Sequence, residues 1–333
     1  MCITMCYTGS VVSMYTNIRT AVPSTGIEEE EDMTKQEEIA KLKAEKDAVI
    51  LAHYYVVPEV QEIADYVGDS FYLSKLAQGL PNSTIVYCGV NFMGESGKLL
   101  SPNKSVLMPD MTADCPMAHM VRKEDVDRCR AQYPDLAVVC YINSTAEIKT
   151  WADVCVTSAN AVKVVKALPN HDILFIPDQN LGRHVGAQVP EKNVMVLEGY
   201  CPIHHFIKPE ELRQLKQEHP GAKVLVHPEC PSEVRELADY LGSTSGIIKY
   251  ATESQDQEFI IVTEVGVSCE LEKQNPGKKF YFPKTTPVCA DMKKITLDKV
   301  IQVLKTGEND ISVPAEVAAT AGAPLERMLE LSK

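Results

Sequence analysis

Three times along the chain a short run of aliphatic and β-branched residues stops abruptly at polar ones: Val49 to Tyr55, Val138 to Asn143 and Lys223 to Glu229. Runs of this length, apolar at nearly every position, predict strands buried on both faces, as in a parallel sheet. Behind the first and third runs, apolar residues recur at helical spacing: Val60, Ile63, Ala64 and Val67, then Val234, Leu237, Ala238 and Leu241. That period predicts an amphipathic helix after each strand. Hydroxyl-rich turns follow at Gly68-Asp69-Ser70, Thr157-Ser158-Ala159-Asn160 and Gly242 to Gly246. Gly68 and Gly242 suit the left-handed position beyond a helix end, and the hydroxyls suit the N-cap of the next helix. Further strands are predicted at Ile85 to Cys88, Ile173 to Ile176 and Phe259 to Val262. A last strand in each unit begins near Val106, Val194 and Phe280 and leads to Cys115, Cys201 and Cys289.

The register of these three units is regular. His53 to Ser70, Tyr141 to Ser158 and His227 to Thr244 each span 17 residues, and the cysteines lie 86 and 88 residues apart. Such self-similarity predicts three homologous α/β units, each a three-layer αβα sandwich on a parallel sheet, around a pseudo-threefold axis. Ligands of open parallel sheets bind beyond the carboxyl ends of the strands. The strand-end polar residues and one late cysteine per unit are therefore expected at one central cavity. The expected units are 33–127 (with return elements from 295–333), 128–215 and 216–294. Residues 1–32 lack any helical or strand period and carry an acidic run, so they read as a disordered extension or as an upstream mis-called start with Met33 as the initiator.

Composition narrows the partners. The net charge of −13 without a basic stripe excludes nucleic acid as a partner and disfavours anionic membrane. No apolar stretch approaches the roughly 18 residues of a membrane span. Eleven cysteines, an odd number with no secretory signal, point to a reducing, cytoplasmic protein.

Three distant single cysteines do not make a structural zinc site, which uses closely spaced pairs. They suit a [4Fe–4S] cluster with one iron left open, a Lewis acid for a substrate oxygen. Buried structural thiols are the plainer alternative. Among the others, Cys88 and Cys140 read as strand residues, Cys155 as lying in or beside a short helix, and Cys129 as helical. Cys230 and Cys269 compete for the cluster but lack counterparts in all three units. Ser70, Ser158 and Thr244 are open to two compatible readings, helix caps or anion-binding hydroxyls at helix N-termini. His53, Tyr55, His227 and Glu229 are the candidate proton-transfer groups, and Glu229, beyond a buried strand, is expected to have a raised pKa.

In combination, Ala52-His53-Tyr54-Tyr55, Gly68-Asp69-Ser70, Tyr141-Ile142-Asn143, Thr157-Ser158, Gly199-Tyr200-Cys201, His227-Pro228-Glu229-Cys230, Gly242 to Gly246 and Cys289 with Met292-Lys293-Lys294 resemble the quinolinate synthase family. The resemblance runs from about Lys35 to Lys333. It implies condensation of iminosuccinate with dihydroxyacetone phosphate to quinolinate, the pyridine precursor of NAD. It implies cluster ligation by Cys115, Cys201 and Cys289, and a substrate cavity lined by His53, Ser70, Tyr141, Asn143, Ser158, His227, Glu229 and Thr244. Tyr55, Glu229 and His227 are implied as catalytic, and a transient contact with the enzyme supplying iminosuccinate is compatible with it. An iron–sulfur hydratase of a hydroxy-acid and a non-enzymatic cluster sensor remain the alternatives from the residues alone.

Overall fold

The structure, a computed structural model, describes residues 33–285 and 287–333, so the expectation for 1–32 lies outside the described residues. Thr34–Lys333 forms one compact unit. It contains three four-stranded parallel sheets flanked by helices, the α/β architecture expected. The first sheet holds β1 (Ala48–His53), β2 (Tyr66–Gly68), β3 (Thr84–Cys88) and β4 (Ser105–Leu107) in the order β2-β1-β3-β4. The second repeats that order with β5 (Ala137–Tyr141), β6 (Val154–Val156), β7 (Asp172–Ile176) and β8 (Asn193–Val196). The third does so with β9 (Lys223–Val226), β10 (Tyr240–Leu241), β11 (Glu258–Val262) and β12 (Lys279–Tyr281). β1, β5 and β9 are the three apolar runs of the sequence. Nearly every residue in them is buried, because each is an inner strand covered on both faces.

The amphipathic helices expected after β1 and β9 are not found at their expected length. The helices after β1 and β9 are single turns, Pro58–Glu62 and Ser232–Arg235, and Val67 and Leu241 lie in strands. The cause is an aspartate repeated in all three units. Asp65, Asp153 and Asp239 each accept the backbone N–H of an inner-strand residue, Ile50 at 2.8 Å, Val138 at 2.7 Å and Val224 at 2.8 Å. Each also donates its own N–H back to that same residue's carbonyl. This two-point hook pulls the chain into an extended path, so β2, β6 and β10 pair with the inner strands. Gly68 accordingly ends β2 and Gly242 follows β10, so neither follows a helix, and neither has positive φ. Cys155 is likewise in β6, not a helix.

Ser70, Ser158 and Thr244 are not caps either. Asp69 caps the helix Ser70–Gly79 by accepting the N–H of Tyr72 at 3.0 Å, and Ser243 caps Thr244–Glu253 by accepting that of Gly246 at 3.2 Å. In the second unit Asn160 precedes Ala161–Ala167, and its side chain turns back to the N–H of Thr157. Ser70 and Thr244 are therefore first helical residues with their side chains released from capping.

The chain end braces the first two sheets. The helix Leu297–Thr306 packs on Lys35–Glu45 and β3, while Ala315–Leu331 packs on β6 and on the helices Ala146–Lys149 and Asn91–Leu100. The return segment thus serves the second unit as well as the first. The first two sheets share one continuous apolar core, and the third has separate clusters on its two faces.

Candidate active site

The carboxyl ends of the inner strands meet around a cavity of about 180 Å³. His53, Tyr55, Ser70, Tyr141, Asn143, Ser158, His227, Glu229 and Thr244 all line it, as do Cys115, Cys201 and Cys289. Residues up to 236 positions apart in sequence are thus brought to one place by the repeat. Cys230 and Cys269 do not line it. Cys230 is buried, with its thiol toward the carbonyl of Val262, and Cys269 lies on the helix Ser268–Gln274.

A short helical turn follows each of the three cysteines. Pro116–His119 follows Cys115, Pro202–His205 follows Cys201, and Met292–Lys294 begins three residues after Cys289. Proline suits the first position of such a turn. Burial pushes all three thiols above the usual range. Backbone N–H groups from the following turns oppose that: Ala118 and Met117 at Cys115, His204 at Cys201, Met292 and Asp291 at Cys289. Three free thiols from three units, half-buried and met by N–H donors, are a donor set fitted to a cationic iron cluster, whose charge would favour the thiolates.

Carboxylates that the sequence pattern does not single out fix two of these loops. Asp178 accepts the backbone N–H of Cys201 at 3.0 Å, and Glu264 that of Cys289 at 3.0 Å. They stand two residues beyond β7 and β11, 86 positions apart, so the repeat interval could have found them. In the first unit Asp114 takes the N–H of Cys115 at 2.8 Å. Gly199 brings the Cys201 loop against the end of β7, where a Cβ would lie 2.5 Å from the carbonyl oxygen of Pro177.

Glu229 is buried among partners that burial alone would not suggest. His204 Nδ1 lies 2.7 Å from its Oε2 and His227 Nδ1 3.6 Å away. Burial pushes the carboxyl up, but His227, His204 and a hydrogen bond from Tyr141 outweigh it and hold the group at about 2. The raised pKa expected from strand-end burial is therefore not found, because two imidazoles and a phenol solvate the charge. His53 and His227 are held at about 3 by burial, so both are neutral near pH 7. Burial also pushes the phenols of Tyr55 and Tyr141 well above their usual range. Asn143 Oδ1 is buried with no hydrogen-bond partner among the described residues, an acceptor exposed to whatever fills the cavity.

His204 carried no signal in the sequence, since its counterparts in the other units are not histidines. It joins Cys201 and Glu229 in a group whose potential ligand atoms lie within 4.8 Å of one another, close enough to hold a metal ion. Its Nδ1 is 3.2 Å from Cys201 Sγ.

Comparison with known proteins agrees in extent and kind. A sequence model of the quinolinate synthetase A protein family matches residues 37–330. The quinolinate synthase of Clostridioides difficile is 50% identical over 304 residues, covering 91% of this chain and 99% of the relative. That of Fusobacterium nucleatum is 52% identical over 297 residues, covering 89% and 99%. That of Aquifex aeolicus is 48% identical over 317 residues, covering 92% and 98%.

Proposed function

Because this chain belongs to the quinolinate synthetase A family, an enzyme family of NAD biosynthesis, we propose that it condenses iminosuccinate with dihydroxyacetone phosphate, releasing phosphate and water to give quinolinate. Family membership removes the hydratase and sensor readings. The observation that carries the specific reaction is the single cavity at the ends of three sheets, lined by three thiols and by hydroxyl, imidazole, phenol and carboxylate groups.

Cys115, Cys201 and Cys289 would hold a [4Fe–4S] cluster, which when bound supplies Lewis-acid iron with one position open to a substrate oxygen. Ser70 and Thr244 begin ten-residue helices, so their hydroxyls and free N–H groups bind phosphate or carboxylate at the positive end of the helix dipole. Ser158 adds a third hydroxyl from the second unit. Asn143 Oδ1 accepts a hydrogen bond from substrate, and neutral His53 and His227 bind without bringing charge. Holding two small anions in register removes most of the entropic cost of their encounter. Glu229, ionised, takes protons during isomerisation and ring closure, while Tyr55 and Tyr141 stay protonated and donate or exchange hydrogen bonds. A reducing cytoplasmic location belongs to the same proposal, since three thiols must stay reduced. So does a transient contact with the enzyme that supplies iminosuccinate. The units 33–127 with 295–333, 128–215 and 216–294 are our proposed division of the chain.

Anaerobically purified protein, given dihydroxyacetone phosphate with oxaloacetate and ammonia as the source of iminosuccinate, should form a pyridine dicarboxylate and free phosphate together. Omitting the triose phosphate should abolish both. Cluster-loaded protein that forms no pyridine under these conditions would falsify the reaction.

A further inference from the structure

Tyr55, Asn143 and Glu229 stand at matching points of the three units, each two residues past the register positions His53, Tyr141 and His227. All three line the cavity from a turn at the end of an inner strand. In the first and third units an imidazole holds that turn. Nδ1 of His53 accepts the backbone N–H of Tyr55 at 3.2 Å, and Nδ1 of His227 accepts that of Glu229 at 3.3 Å. The next N–H then closes onto the histidine carbonyl, from Val56 at 3.2 Å and from Cys230 at 3.0 Å. The second unit has a tyrosine in place of the histidine and turns more tightly. There the N–H of Ser144 bonds the carbonyl of Ile142 at 2.8 Å, a three-residue turn with Asn143 at its apex.

Ser144 is fixed at each of its polar atoms. Its hydroxyl donates to the carbonyl of Tyr141 at 3.0 Å, and its own carbonyl accepts from the ammonium of Lys149. Lys149 ends the short helix Ala146–Lys149 and is fully buried. Its Nζ stands 5.7 Å from the centre of the Phe92 ring, and Phe92 also lines the cavity. Among the described residues no carboxylate pairs with Lys149. Burying an ammonium without a carboxylate is costly, and a methionine would fill the same space without that cost. Stability therefore does not account for the lysine. We propose that Lys149 is a positioning residue for Asn143. Its hold on the Ser144 carbonyl takes the place of the imidazole hold in the other two units and fixes the apex of the turn. Asn143 Oδ1, buried without a partner among the described residues, then meets substrate in one orientation, with no ordering left to be done on binding.

This inference rests on the assignment of Asn143 to substrate binding, and one arm of its test needs no substrate. In hydrogen exchange of the anaerobic protein, Lys149→Met should speed exchange in the Tyr141–Ser144 turn about 10-fold or more. The matching turns His53–Val56 and His227–Cys230 should keep their wild-type rates. In turnover, Lys149→Met should raise KM for at least one substrate about 5-fold or more, the worth of one hydrogen bond, with kcat within about twofold. In an Asn143→Ala background the same substitution should raise KM no further, because the residue it acts through is gone. An unchanged turn, or equally faster exchange in all three turns, overturns the hold even if the protein makes no quinolinate. A KM rise that persists in the Asn143→Ala background, or a loss confined to kcat, overturns the positioning role. Where Lys149→Met gives no folded protein, the wild type decides: its Ile142 and Ser144 amides should exchange as slowly as those of β5, and exchange at the rate of an open chain overturns the proposal.

Discussion

Asp178 and Glu264, in successive units, each hold the backbone N–H of the cysteine that closes their unit, both at 3.0 Å. Asp178 also accepts the N–H of Leu181 at 2.7 Å, and Glu264 that of Gly266 at 2.7 Å. Each carboxylate therefore ties the end of an inner strand, the helix behind it and the cysteine loop into one rigid joint. Asp178→Ala should leave two buried donors without partners. We expect a loss of about 2 kcal/mol or more in urea unfolding, the scale for unsatisfied buried groups, together with a lower iron content after anaerobic reconstitution. Full stability and iron content would show the loop is held by packing alone.

The cysteines separate into two sets. Serine at Cys115, Cys201 or Cys289 should each abolish a stable cluster in the visible absorption spectrum, since two thiolates hold it poorly. Serine at Cys230 or Cys269 should keep it, because neither thiol reaches the cavity. A cluster lost from the second set and kept in the first would mean the threefold register is wrong.

Glu229→Gln keeps the size of the side chain and removes the charge that His204 and His227 face. Turnover should fall about 10²-fold or more, the usual scale for a positioned proton-transfer group, with the cluster spectrum retained. Near-normal turnover would take Glu229 out of the reaction.

Ser70 and its neighbour Asp69 divide capping from binding. Asp69→Ala should cost about 1 kcal/mol of stability, the worth of a lost N-cap, and more because Ser245 also donates to that carboxylate. Ser70→Ala should leave stability within about 0.5 kcal/mol and raise KM for the triose phosphate. Equal destabilisation by the two, with affinity untouched in Ser70→Ala, would return Ser70 to a purely structural role.

Stability should fall on mild acidification. His53 and His227 are held at about 3 in the folded chain, against about 6.5 for a free imidazole. Between these values the unfolded chain binds protons the folded one refuses, so stability is full above about pH 6.5 and declines as pH falls toward 3. Two such groups give a slope of up to about 2.7 kcal/mol per pH unit. Urea midpoints from pH 7 to pH 5 read it, and His227→Asn should reduce the slope. A flat profile would mean the two imidazoles take up protons in place.

The inner strands, the threefold interval and the three matched cysteines were legible in the sequence because burial on both faces and repetition leave their mark on consecutive residues. Every residue expected at the cavity from that register lines it. The path from β1 to β2 was not legible. The apolar spacing of Val60, Ile63, Ala64 and Val67 fits a helix, and only the hook of Asp65 onto Ile50, a long-range pairing, overrides it. Capping by Asp69 and Ser243 instead of the following hydroxyls depended on a one-residue shift that propensity cannot resolve. The charge state of Glu229 was misjudged for a related reason. Sequence placed it beyond a buried strand beside His227, but two of the three groups that solvate it, His204 and Tyr141, arrive from the second unit. Periodicity records what a residue packs against in its own unit, while polar partners across three units are decided when the sheets come together around the cavity.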